Sequence, residues 1–186
     1  MIYRISYRMP TQKGTYHALE ALGPSTNPEV RHPLCLARGF GRGGARMTAE
    51  SGKIALRTSA KEEIVDVTSR VQEIVSKSGI KQGLACVFVV GSTAAVTTVE
   101  HEPGLIQDMQ DAMQRLYPKD IDYEHHKRWG DGNGHSHIRA SFIGPSLTVP
   151  VVDGKLLLGT WQQIVFLELD VRPRSRELAV EVVGDP

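Results

Sequence analysis

The chain has 186 residues, 40% hydrophobic and 23% charged, with a formal net charge of +1. That length holds one domain with a real core, or one domain plus a tail, and the charge balance carries no global pull toward nucleic acid or an anionic membrane. No run of about 18 apolar residues is present and no apolar h-region follows the first arginines, so neither a membrane span nor a signal peptide is expected and the default setting is cytoplasmic.

Residues 1–46 differ from the rest. They carry Pro10, Pro24, Pro28 and Pro33, then Gly39, Gly41, Gly43 and Gly44, and only Thr15 to Leu22 has a short helical look. Such a segment buries too little apolar surface to offset its ordering entropy. We expect a disordered or mis-assigned extension over 1–46, with Met47 as initiator or domain start; a basic arm for an acidic partner is the other reading. The folded domain is expected over 47–186.

Regular patterning begins at once after Met47. Ile54 and Leu56 alternate with polar residues, as in a strand, and 62–66 reads as a second strand. Thr68 is placed as N-cap of a helix over 69–78, with Val71, Ile74 and Val75 on one face and Gly79 as its stop. The apolar run 83–90 predicts a central strand buried on both faces, with Cys86 as a small buried hydrophobe. Neither Cys86 nor Cys35 has metal-type spacing. A strand over 96–100 follows. Leu105, Met109, Ala112, Met113 and Leu116 then form a helical stripe ending at Tyr117-Pro118. Strands are expected over 140–143, 147–152, 155–158, 163–170 and 177–183, with an Asp153-Gly154 hairpin turn. The fold class is α+β: a β-sandwich of about seven strands with two to three helices packed to one side.

Four of the seven histidines fall between 125 and 137. His135 and His137 are separated by one residue. Read as a strand, they point to one face, which spaces two imidazoles for a shared metal ion. His125 reads as a third ligand from the preceding loop. Zinc takes three such nitrogens and leaves a fourth position for water or substrate. An ordinary surface pair is the alternative. His126 reads as a solvated loop residue, and Glu124 and Asp131 as solvated carboxylates or as orienters of an imidazole. The small-residue loop Gly91-Ser92-Thr93 either cradles phosphate with its N–H groups and hydroxyls or simply joins two strands tightly; it lacks the lysine of a P-loop. Trp161 reads as a core residue or a pocket wall. Arg172, Arg174 and Arg176 read as phosphate forks or as a solvated turn.

These pieces together carry a resemblance. Thr93–Thr97, Glu100 with Pro103 and Asp108-Met109, Tyr123–His125, His135–Ser141, Gly144–Pro150, Gly159–Gln162, Glu168 and Arg174 stand in order, and residues from about 50 to 184 resemble the YjbQ-like (UPF0047) family. Some members are described as secondary thiamine-phosphate synthases. The resemblance implies an α+β sandwich, a homotrimer about a three-fold axis, and a pocket holding His125, His135 and His137 at or near a subunit interface. The synthase reaction implies a phosphorylated small-molecule substrate: a thiazole nitrogen attacks the methylene carbon of a pyrimidine diphosphate, and pyrophosphate leaves. The leaving group calls for positive charge from a divalent metal (zinc or magnesium), from Arg139 or Arg174, and from donors at Gly91, Ser92 and Thr93. Glu100, His125 and Arg139 are the implied catalytic residues, and Trp161 and Arg174 complete ligand binding. The sequence departs from the family pattern at Gly91, where many members have histidine, and at Val99, where many have asparagine. A non-catalytic metal- or phosphometabolite-binding trimer and a metal-dependent hydrolase are the other function classes.

Overall fold

A computed structural model describes residues 47–59 and 62–186. The expectations for 1–46 lie outside the described residues. Strand alternation builds the larger sheet. β1 (Thr48–Arg57) pairs antiparallel with β8 (Ser175–Asp185), and β3 (Gln82–Val89) lies between β8 and β5 (Ser146–Val152). β6 (Lys155–Leu156) closes a hairpin on β5, giving the order β1-β8-β3-β5-β6. Its turn is the expected Asp153-Gly154, both residues at positive φ (51° and 73°), the backbone a two-residue hairpin demands. Ile54, Val87, Val151 and Val180 are among the alternate residues buried on the inner face.

The smaller sheet has the order β2-β7-β4, from β2 (Ile64–Asp66), β7 (Gln163–Glu168) and β4 (Ala94–Val99). It is the middle layer. Val96, Ile164 and Phe166 pack into the core shared with the larger sheet. Ala95, Val165 and Leu167, one step out of phase, pack with Met113 of α2 (Pro103–Leu116) and Ala140 of α4 (Gly134–Ile143). Full burial of each such Val, Leu, Ile or Phe side chain contributes roughly 1.5–3 kcal/mol. α1 (Thr68–Ser78) inserts Val71 and Val75 into the first core and ends on Gly79 at φ 73°. The α+β class is as expected, here with eight strands and four helices among the described residues.

Five local expectations are corrected. Thr68 is not the N-cap of α1, which is Val67. Instead Asp66 Oδ1 accepts from the Thr68 amide (2.8 Å), and the Thr68 hydroxyl accepts from the Ile164 amide (2.8 Å). β3 is buried on one face only: Ala85, Val87 and Val89 point inward, whereas Leu84, Cys86 and Phe88 face away from that core, Leu84 and Phe88 exposed. A run of consecutive apolar residues reads alike for one covered face and for two. Residues 140–143 are not a strand but the end of α4, and 124–129 form a short helix, α3 (Glu124–Trp129). Trp161 lies in a turn before β7, exposed, and so is not a core residue.

Candidate functional site

The helical state of α4 decides the fate of the His-x-His pair. On a helix, residues two apart point about 200° away from each other, so His135 and His137 leave on opposite sides. The strand-face pairing is therefore not formed. Each imidazole instead meets one of the adjacent histidines of α3. His137 packs against His125, ring centroids 4.6 Å apart, and His135 meets His126 edge-on at 6.5 Å. His126 is not a loop residue. Its Nε2 accepts the Gly134 amide at 2.9 Å, satisfying a free donor at the start of α4.

The His137 side opens on the end of the middle sheet. His125 Nδ1 lies 3.2 Å from Asp131 Oδ1, off the hydrogen-bonding direction, and has no other partner among the described residues. The His137 pKa is lowered, first by burial and then by the neighbouring His125; Asp131, Asp170 and the Ser92 main chain act in the opposite sense. The register Ala94↔Glu168 brings the 91–93 loop beside Glu168 and Asp170. There the Thr93 hydroxyl donates to Asp170 Oδ2 (3.0 Å) and accepts from Arg176 Nη2 (2.8 Å). Arg174 Nε donates to the same Asp170 oxygen at 2.7 Å. Arg176 grips Glu168 with Nε (2.7 Å) and Nη2 (2.5 Å), and the Thr58 hydroxyl adds a 2.8 Å bond to Glu168 Oε2. Burial pushes the Asp170 carboxyl up, but bonds from Arg174, Thr93 and the Val171 amide hold it below the ordinary carboxylate range. Glu168 and Asp170 are both buried. Asp170, read only as the end of a strand, and Arg176, read only as one of three clustered arginines, are thus central here. The available signal was the spacing of Glu168 with Asp170 and of Arg174 with Arg176, each two apart on either side of the Pro173 turn.

The His135 side is interior. His135 is 2% exposed, and among the described residues neither ring nitrogen is hydrogen-bonded and the buried hydroxyl of its neighbour Ser136 has no partner. The His135 pKa is lowered to about 4, chiefly by burial, then by Arg139, with Glu62 acting against the shift. Arg139, one turn on, is wholly buried. Its Nη1 donates to Glu62, its Nε to the Tyr117 carbonyl (2.9 Å), and its Nη2 to Gln114 (3.0 Å) and Tyr117 (2.6 Å). This guanidinium ties α4 to α2 and to Glu62.

Glu100 and Trp161 stand elsewhere. The pairing Val99↔Gln163 puts both at the far end of the middle sheet from Ala94↔Glu168, roughly 17 Å along the strand. The chain therefore brings together His125, His137, Ser92, Thr93 and Arg174, and does not bring Glu100, Trp161, His135 or Arg139 to them. Gly91 borders the same loop, against Arg176. For a metal, the three-histidine set does not share one side of α4. His125, His137 and Asp131 supply zinc-type donors, but among the described residues no three His, Cys, Asp or Glu side chains are gathered into a ready shell.

Comparison with known proteins agrees with this architecture. A UPF0047 protein of Methanothermobacter thermautotrophicus is 41% identical over 143 residues, 77% of this chain and 98% of that one. The UPF0047 protein YugU of Bacillus subtilis is 32% identical over 132 residues, covering 70% of this chain and 97% of its own. A solved YbjQ-like protein of unknown function from Sulfolobus solfataricus superposes with a TM-score of 0.72 at 38% identity, covering 75% of this chain and 100% of that chain. The model of the family described as UPF0047 protein YjbQ-like matches residues 52–185. On this match and these identities, the chain belongs to the YjbQ-like UPF0047 family.

Proposed function

We propose that the chain is an enzyme acting on phosphorylated small molecules, with its reaction centre where α3 and α4 meet the 91–93 loop. The observation that carries this reading is the His125–His137 pair, 4.6 Å apart, set beside a loop whose Thr93 is locked to Asp170 and Arg176, with Arg174 on the same Asp170 oxygen. Imidazoles, hydroxyls and a guanidinium at one sheet end are groups that bind and protonate phosphoryl oxygens. Burial and His125 favour the neutral form of His137; a bound dianion favours the charged form, so binding takes up a proton. The specific reaction proposed is of the thiamine-phosphate synthase type. The thiazole nitrogen forms the new C–N bond, the C–O bond to the diphosphate breaks, and pyrophosphate leaves with the electron pair. In this scheme Arg174 and the 91–93 loop hold the leaving group and His137 or His125 supplies a proton to it. The test is pyrophosphate release from hydroxymethylpyrimidine diphosphate and thiazole phosphate by wild type, His125→Ala and His137→Ala. Turnover in wild type that falls at least about 100-fold in both variants supports the scheme. No turnover in wild type ends the synthase reading.

A second reading, a metal-dependent hydrolase or a metal-holding trimer, is favoured by the buried Nδ1 of His125 near Asp131, which has no hydrogen-bond partner among the described residues. A zinc or magnesium ion, if bound, would supply Lewis-acid charge or an activated water. Metal analysis decides it: equal metal content in wild type, His125→Ala and His137→Ala removes the ligand assignment. The homotrimer is likewise proposed. Its support is the outer face of the larger sheet, where Leu84, Phe88, Val152 and Val183 are exposed, with Leu84 between Pro150 and Val183. Sedimentation of the full chain tests it, and a monomer at micromolar concentration refutes it.

A further inference from the structure

Arg176 carries an unengaged donor pair. Its Nε and Nη2 are bound to Glu168 and Thr93, while Nη1 makes no hydrogen bond among the described residues. The side chain is 8% exposed and its partner Glu168 is 0% exposed. Nη1 is not sealed in the interior, so its N–H donors stand open to a ligand. The position of Nη1 shows from which side that partner arrives. A β-carbon built on Gly91 would lie 2.8 Å from it. Gly91 and Ser92 are exposed, so the space left by the missing side chain joins Nη1 to solvent at the same loop that faces His137. Thr93 holds the guanidinium plane in place from behind, and Asp170 holds Thr93.

We propose that Arg176 contacts the ligand, its Nη1 donating to a terminal phosphoryl oxygen that enters over Gly91. Gly91 is then the specificity-determining residue, because any side chain there covers the guanidinium. Arg174, partly exposed on the Asp170 carboxylate, is the second cation. The ligand class is a phosphate monoester or a diphosphate. This inference deepens the reading under Proposed function and rests on it.

The test uses the full-length protein and inorganic pyrophosphate, with inorganic phosphate as the smaller probe, measured by calorimetry. Gly91→Ala and Gly91→Val leave every charge in place. The backbone at 91 is not in the left-handed region and the atom met is the end of a flexible side chain, so both variants fold. Ligand-free melting within about 2 °C of wild type checks that. Pyrophosphate affinity is expected to fall about tenfold in Gly91→Ala and further in Gly91→Val, the range of a lost charge-assisted bond. Lys77→Ala, an exposed cation of α1 paired with Glu73 and outside this network, keeps wild-type affinity. Wild-type affinity in Gly91→Val, with binding lost in His137→Ala, overturns the role of Arg176 and leaves the proposed site standing. No binding of either anion by wild type overturns both.

Discussion

The two sides of α4 begin from the same residue type and end with opposite tasks. His137 shares its side with His125, Asp131 and the 91–93 loop, where polar groups remain open to a ligand. His135 is sealed among Tyr123, His126 and Arg139, with no hydrogen bond at either ring nitrogen among the described residues. The difference is one of helical phase. Turning by 100° per residue, a helix sorts residues two apart into separate environments, and burial then makes one imidazole a structural group and leaves the other available. A histidine pair in sequence is therefore not a histidine pair in space.

Removing Arg139 should break this division most severely. Arg139→Met removes both donors from the part-buried carbonyl of Tyr117, one of two from the Gln114 amide oxygen, and one of two cations from Glu62. The expected loss is on the order of 3–5 kcal/mol, read from urea midpoints. A loss below about 1 kcal/mol would mean that the interior side does not depend on this ion pair.

His135 comes next, through pH. Its folded pKa is about 4 against an ordinary 6.5, so the unfolded chain binds a proton that the folded chain refuses. Stability is complete above the unfolded pKa and is lost as pH falls from about 6.5 toward 4, by up to about 3 kcal/mol. The shift at His137 has the same sign. Urea midpoints at pH 7 and pH 4.5 measure the slope, which should flatten in His135→Gln. An unchanged slope in that variant would assign the acid sensitivity to other groups.

Ser136→Ala is the gentler probe of the same interior. Its hydroxyl is buried with no partner among the described residues, so removing it should gain about 1 kcal/mol; a loss of that size would show that the hydroxyl is hydrogen-bonded in solution. The smallest stability change is expected on the other side. His137→Ala should move the midpoint by less than about 1 kcal/mol while abolishing pyrophosphate binding. A large destabilisation there would erase the contrast between the two sides.

Much of the scaffold was legible along the chain because its signals are local. Ile54 and Leu56 announce a strand by alternation, Gly79 stops a helix because it alone takes a left-handed backbone at no steric cost, and Asp153-Gly154 sets a hairpin. The stretch 124–143 was less legible because its local signals conflict. Gly130, Gly132 and Gly134 suggest loop, and His-Ser-His alternates like a strand. What makes 134–143 helical is burial at 135, 136, 139 and 140, set by Ala140 packing on the middle sheet and Arg139 reaching α2. The exposed face of β3 was hidden for a related reason: Leu84 and Phe88 are as apolar as Val87, and only the neighbouring layer shows which of them it covers.

By itself the sequence determined which residue types are present, the family resemblance they carry, and the order of strands and helices outside 124–143. These depend on period, turn chemistry and motif order, all written within a few residues. Only the tertiary structure decided which residues gather at the candidate site. It joined the 91–93 loop to Asp170, Arg174 and Arg176 across more than 75 positions of chain, as in the Thr93–Asp170 bond between residues 77 apart. It also sent Glu100 and Trp161 to the far end of the same sheet. Antiparallel register sets those distances, and register is fixed by which faces are buried, a property of packed layers rather than of any one segment.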